Sequence, residues 1–113
     1  MYFCMYKWRV MIELDIEYGS FVWSQTKELE NIKKHGVDFL FASRAFLDPA
    51  RLIAVDEKHS LQEERFYCVG KVRTKDGSKV LTVRFTYRSH KVRIFGAGFW
   101  RVGRKLYEKE NTK

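Results

Sequence analysis

The sequence predicts an α+β domain: two N-terminal helices packed on an antiparallel sheet of about four strands, then a C-terminal basic helix. Three observations lead there. Apolar residues recur at helical spacing up to Asp48-Pro49. Beyond that point the period falls to two, the mark of strands with one buried face. After Phe99 the spacing is helical again, and Arg101, Lys105 and Lys109 repeat every fourth residue.

The elements follow in order. Residues 1–20 form an N-terminal extension in which Ile12, Leu14 and Ile16 alternate with Glu13, Asp15 and Glu17, the pattern of a short edge strand. Met5 and Met11 are alternative starts, so this stretch is set apart from a single domain over 21–113. Phe21, Val22 and Trp23 read as a short strand or anchor. Ser24 can cap a helix running to His35, with Leu29 and Ile32 as its apolar face and Glu28, Lys33 and Lys34 towards water. Gly36 suits the left-handed position that ends helices. Asp38 caps a second helix carrying Phe39, Leu40, Ala42, Phe46 and Leu47, and Asp48-Pro49 stops it.

Strands are expected at Leu52–Val55 and Phe66–Val72, with Asp76-Gly77 as a turn. Val80–Tyr87 has the clearest alternation: Leu81, Val83, Phe85 and Tyr87 on one side, Thr82, Arg84, Thr86 and Arg88 on the other. Ser89-His90 can turn into Val92–Phe95. In the last helix Phe99, Val102 and Leu106 share a face.

Charge is unevenly placed. Residues 1–76 carry 12 basic and 12 acidic groups, while residues 77–113 carry 10 and 2. Gly77–Tyr107 has no Asp or Glu and interleaves Arg and Lys with Phe85, Tyr87, Phe95, Phe99, Trp100 and Tyr107. A one-sided positive field suits a polyanion such as nucleic acid, though such a block also occurs as a plain solvated face. No apolar run approaches the roughly 20 residues of a membrane span. Lys7 and Arg9 interrupt the apolar start, so no signal peptide is expected. Two cysteines, Cys4 and Cys68, make no disulfide framework, and a cytoplasmic location follows as the default. No His/Cys pair has zinc-ligand spacing, so neither a metal nor another cofactor is expected.

Three stretches together resemble one family. NIKKHGVDF (Asn31 to Phe39) follows FVW and Lys27; DEKHSLQEERF (Asp56 to Phe66) precedes a strand; VRIF (Val92 to Phe95) leads into a basic helix ending LYEKEN. This is similar to the BrnT ribonuclease toxins of bacterial type II toxin–antitoxin systems, over about Phe21 to Glu110. The resemblance implies a RelE-like fold, metal-independent RNA cleavage, and a BrnA-like antitoxin encoded next to the toxin. Operator DNA would be reached only through that antitoxin. Family members commonly carry Glu where Tyr87 stands, and Ser-Ala-Arg in place of Gly96, Ala97 and Gly98.

Cleavage of this kind directs the RNA 2′-hydroxyl at the adjacent phosphate. It needs a base, a proton donor and cations around phosphorus. Arginine suits the cationic role because its planar fork meets two phosphate oxygens. Arg65, Arg84 and Arg93 are each expected within a strand, on the sheet face away from the N-terminal helices. Arg65, Arg93 and His59 form the expected catalytic group, His59 as acid or base. Lys33, Arg84, Arg88, Arg101, Lys105 and Trp100 are expected RNA contacts. Two other readings stay open: a toxin relative that has lost cleavage and acts as an antitoxin-binding co-regulator, and a general RNA-binding domain.

Overall fold

A computed structural model describes residues 14–112; Ile12 and Cys4 lie outside them. Six strands form one sheet: β1 (Asp15–Tyr18), β2 (Phe21–Ser24), β3 (Leu52–Val55), β4 (Phe66–Thr74), β5 (Gly77–Arg88) and β6 (Lys91–Gly98). Their order is β1-β2-β6-β5-β4-β3. Neighbours run antiparallel except β2 and β6, which are parallel. The helices are α1 (Gln25–His35), α2 (Phe39–Ala42) and α3 (Arg101–Asn111), with 3-10 turns at Ser43–Leu47 and Glu57–His59.

The expected α+β class holds, but the sheet has six strands and is mixed rather than four and antiparallel. The two additional strands are β1 and β2. They form a hairpin through Gly19, whose φ of 60° suits glycine, and β2 then lies beside β6. A strand's partner seventy positions away leaves no local trace in the sequence. The second expected helix also changes form: after four residues it tightens into the 3-10 turn that brings Phe46 onto Phe85, ring centroids 5.0 Å apart.

Local signals behave as elementary chemistry dictates. The Ser24 hydroxyl accepts from the Lys27 N–H, and the Asp38 carboxylate accepts from the Phe41 N–H at 2.7 Å. Gly36 ends α1 at φ 69° and donates its N–H to the Ile32 carbonyl. The β5–β6 turn places Ser89 and His90 both at positive φ.

One sheet face carries the main core. Cys68, Val72, Leu81, Val83, Phe85, Ile94, Ala97 and Trp23 pack there against Val37, Phe39, Ala42 and Ala45. Burial pushes the Cys68 thiol up to about 12, which leaves it an inert apolar filler. On α1, however, Leu29 and Ile32 are exposed, and the side chain turned inward is Asn31. Its amide donates to the Val37 and Ala97 carbonyls, both at 2.9 Å, and accepts from the Ala97 N–H at 3.0 Å. Glu28, expected in water, accepts from the Trp23 indole N–H and the Phe39 N–H.

α3 covers part of the opposite face. Gly103 lets it approach so closely that a Cβ there would meet the Thr82 hydroxyl. Tyr107 packs on Val69 and Val80, while Val102, expected inward, is 81% exposed. The Tyr107 hydroxyl donates to the Asp48 carboxylate at 2.6 Å, which also accepts from the Lys71 and Ala50 N–H groups. Burial pushes the Asp48 carboxyl up, but these hydrogen bonds outweigh it and hold the group below its ordinary value. Burial, reinforced by Asp48, pushes the Tyr107 hydroxyl from 10.0 up to about 12.

Two outcomes follow. Asn31→Ala leaves the Ala97 N–H and two carbonyls without their partner, and should cost about 2–4 kcal/mol in urea unfolding. The second concerns pH. Acid protonates Asp48 in the unfolded chain first, so stability falls as pH drops below about 4. Alkali ionises Tyr107 in the unfolded chain first, so stability also falls as pH rises from 10.0 towards about 12. Thermal melts across pH should show both arms, and Tyr107→Phe should lessen the alkaline one, to which Cys68 and Tyr67, also raised by burial, contribute as well.

Candidate functional site

The face opposite the main core is left open where α3 does not reach. Arg84 on β5 and Arg93 on β6 project from it, in register with Gly96 and Thr86. A β-bulge between Arg84 and Phe85 leaves Phe95 as the extra residue of β6. The guanidinium of Arg65 lies over the Phe95 ring, 4.6 Å from its centroid. Arg65 itself stands just before β4 rather than within it. It is held by its N–H donating to the Ser60 hydroxyl, while the neighbouring Glu64 carbonyl accepts from the buried Thr86 hydroxyl.

These side chains line a trough of three adjoining cavities. The central one, about 260 Å³, is walled by Arg65, Arg84, Arg88, Arg93, Lys27 and Glu63. On one side it shares Arg65, Arg88 and Glu63 with a cavity of about 460 Å³ that reaches His59. On the other it shares Lys27, Arg84 and Phe95 with one of about 190 Å³ that reaches Lys34, His35 and Trp100. The His35 and Trp100 rings meet edge to face, 5.2 Å apart.

Arginine pairing differs along the trough. Arg88 donates to Glu63 at 2.7 Å, and Arg93 donates through both terminal nitrogens to Asp15 of β1, at 2.8 and 3.2 Å. The hydrogen bond from Arg93 holds the Asp15 carboxyl below its ordinary value. Arg65 and Arg84 form no ion pair with a described carboxylate. His59 stays half exposed, with Nδ1 2.8 Å from the buried Asp56 carboxylate. Burial pushes the Asp56 carboxyl up, but hydrogen bonds from His59 and Tyr67 outweigh it and keep the group ionised at neutral pH. Asp56 therefore orients the ring through Nδ1, and His59 lines the larger cavity.

The expected catalytic group is thus brought together in part. Arg65 and Arg93 share the central cavity, and His59 meets Arg65 in the next. Arg84, Arg88 and Trp100 line the trough. Lys33, Arg101 and Lys105 do not. Two residues along a helix is about 200° of rotation, so Lys33 stands opposite the inward Asn31. Arg101 and Lys105 stand opposite Gly103 for the same reason. Lys27 and Lys34, which sequence reasoning passed over, lie four before and three after Asn31 and so border the trough on its own side. Taking Asn31 rather than Leu29 as the inward residue would have found them. Among the described residues no group of three His, Cys, Asp or Glu side chains converges as metal ligands would, and no helix is long and apolar enough to cross a membrane.

A comparison with curated proteins finds no match. A family model described as ribonuclease toxin, BrnT, of type II toxin–antitoxin system matches residues 23–101, a span that holds α1 and every arginine of the trough. The chain therefore belongs to the BrnT family of ribonuclease toxins of type II toxin–antitoxin systems.

Proposed function

We propose that this toxin cleaves single-stranded RNA in the arginine trough by attack of a 2′-hydroxyl on the adjacent phosphate. The observation that carries this reading is the convergence of Arg65, Arg84, Arg88 and Arg93 on one cavity with a single lining carboxylate. Arg65 and Arg84 take the scissile phosphate, and their forks stabilise charge as phosphorus becomes five-coordinate. The O2′–phosphorus bond forms as the phosphorus–O5′ bond breaks; the 2′-hydroxyl loses a proton and the departing 5′-oxygen gains one, and His59, oriented by Asp56, serves one of these two transfers. Trp100 and His35 offer aromatic surface to a neighbouring base, and Lys27 and Lys34 hold its phosphate.

The two departures from the family pattern do not empty this site. Tyr87 packs edge-on to Phe66 and Phe85 and lines none of the three cavities. At Gly98 a side chain would come within 2.6 Å of the Trp100 ring, so Trp100 fills the space that an arginine there would need. The family also implies a cognate antitoxin. On this reading it is a BrnA-like protein encoded alongside, it covers the basic trough, and it alone contacts operator DNA. RNA and antitoxin both meet the toxin in the cytoplasm.

Arg65→Ala should lower cleavage by about a hundredfold or more. Its stability should change by no more than about 2 kcal/mol, the upper scale for a half-buried cation stacked on a ring. Arg65→Lys should recover only part of the activity, because a point charge lacks the fork. Wild-type rates in both variants, measured on antitoxin-free protein, would remove Arg65 from the mechanism. Salt provides an independent check. Four phosphates neutralised on a single strand give a slope of about −2.8 in log affinity against log salt, about fiftyfold between roughly 50 and 200 mM. Affinity that is flat in salt would mean the arginines do not meet the RNA.

A further inference from the structure

The Arg93 fork is already occupied. Asp15 presents two carboxylate oxygens to two guanidinium nitrogens, the two-point geometry with which arginine takes a phosphate. Strand register puts both on one sheet face, a diagonal step apart: Asp15 lies opposite Ser24 in β1–β2, and Arg93 opposite Val22 in β2–β6. The Arg93 side chain is 17% exposed and faces the central cavity, whereas Asp15 is 52% exposed. β1 is a four-residue edge strand, laddered only to β2. It also lies outside the part of the chain that matches the family, which begins at residue 23.

We propose that Asp15 is a built-in occupant of a substrate phosphate position, so that β1 competes with RNA for Arg93. The proposal rests on the RNA-cleaving reading above and adds a determinant of substrate affinity to it. RNA entering the trough exchanges one anion for another at Arg93. It must supply enough contacts at Arg65, Arg84 and Lys27 to displace the carboxylate. A single phosphate, gaining at Arg93 only what Asp15 loses, is disfavoured against a strand that spans the trough. The exchange is local, because β1 contributes little to either core cluster beyond Ile16.

The test uses antitoxin-free full-length protein and a short, mixed-sequence, single-stranded RNA with 2′-O-methyl groups, which binds without being cut. Asp15→Asn keeps the shape and a hydrogen bond to Arg93 but removes the charge. It should bind this probe about fivefold more tightly, the scale of one exposed ion pair. Glu17→Gln is the control: it also removes one negative charge from β1, but Glu17 pairs with Lys91, outside the cavity. It should change affinity by less than about twofold. In an Arg93→Ala background the Asp15→Asn gain should vanish. Equal gains in Asp15→Asn and Glu17→Gln, or no gain in either, overturn the proposal while RNA binding stands. Weaker binding by Asp15→Asn also overturns it, and makes Asp15 a residue that positions Arg93 for substrate. Absence of probe binding by every protein, wild type included, removes the RNA reading and this proposal with it.

Discussion

Asn31 is the contact on which the arrangement depends. A buried amide with three hydrogen bonds to backbone is directional, unlike an apolar side chain that can slide. It fixes the rotation of α1 against β6 to a single phase. That phase turns Lys27 and Lys34 towards the trough and Lys33 away from it. It also pins Ala97, the residue before Gly98 and Trp100, and so sets where β6 ends and α3 begins. The same helix ties β2 and α2 together through Glu28, whose two oxygens serve Trp23 and Phe39.

The trough concentrates like charge, which opposes folding. The structure tolerates this through three devices. Water screens the open cavity, Glu63 and Asp15 offset Arg88 and Arg93, and the Phe95 ring receives Arg65, which leaves Arg84 as the fourth arginine. None of these removes the positive field. The bulge at Phe95 matters here because it interrupts the ladder at the point where a ring is needed beneath Arg65. A regular β6 would have continued the simple alternation.

Local chemistry made much of this legible. Ser24, Gly36 and Asp38 announced their helix ends, Asp76-Gly77 its turn, and alternation in β5 assigned Arg84 to the face away from the core. The arginine face followed from the same period-two argument. What stayed hidden was of two kinds. The parallel pairing of β2 with β6 joins residues too far apart for any local pattern to record, so the first two strands were legible as extended segments but their place in the main sheet was not. The orientation of α1 was misjudged because amphipathic reasoning weighs apolar residues, and here the inward residue is polar. Leu29 and Ile32 suggested the wrong side, and with them Lys33 displaced Lys27 and Lys34. On α3 the same bias favoured Val102 over Gly103, where closeness rather than hydrophobicity decides the contact.

The parallel β2–β6 ladder has a consequence for timing. It joins the start of the domain to its end, and the Asp15–Arg93 pair spans 78 positions. Closing so long a loop precedes any stabilisation from the contact it creates, which slows the step relative to local hairpins. The β4–β5 hairpin closes over a short turn, but it carries only part of the arginine cluster. Arg93, Phe95 and the α1 lysines join it only after β6 has been made and has found β2. A chain still being synthesised therefore lacks the assembled trough until β6 has been made. For a member of a ribonuclease toxin family, the topology itself delays assembly of this basic surface until β6 is in place.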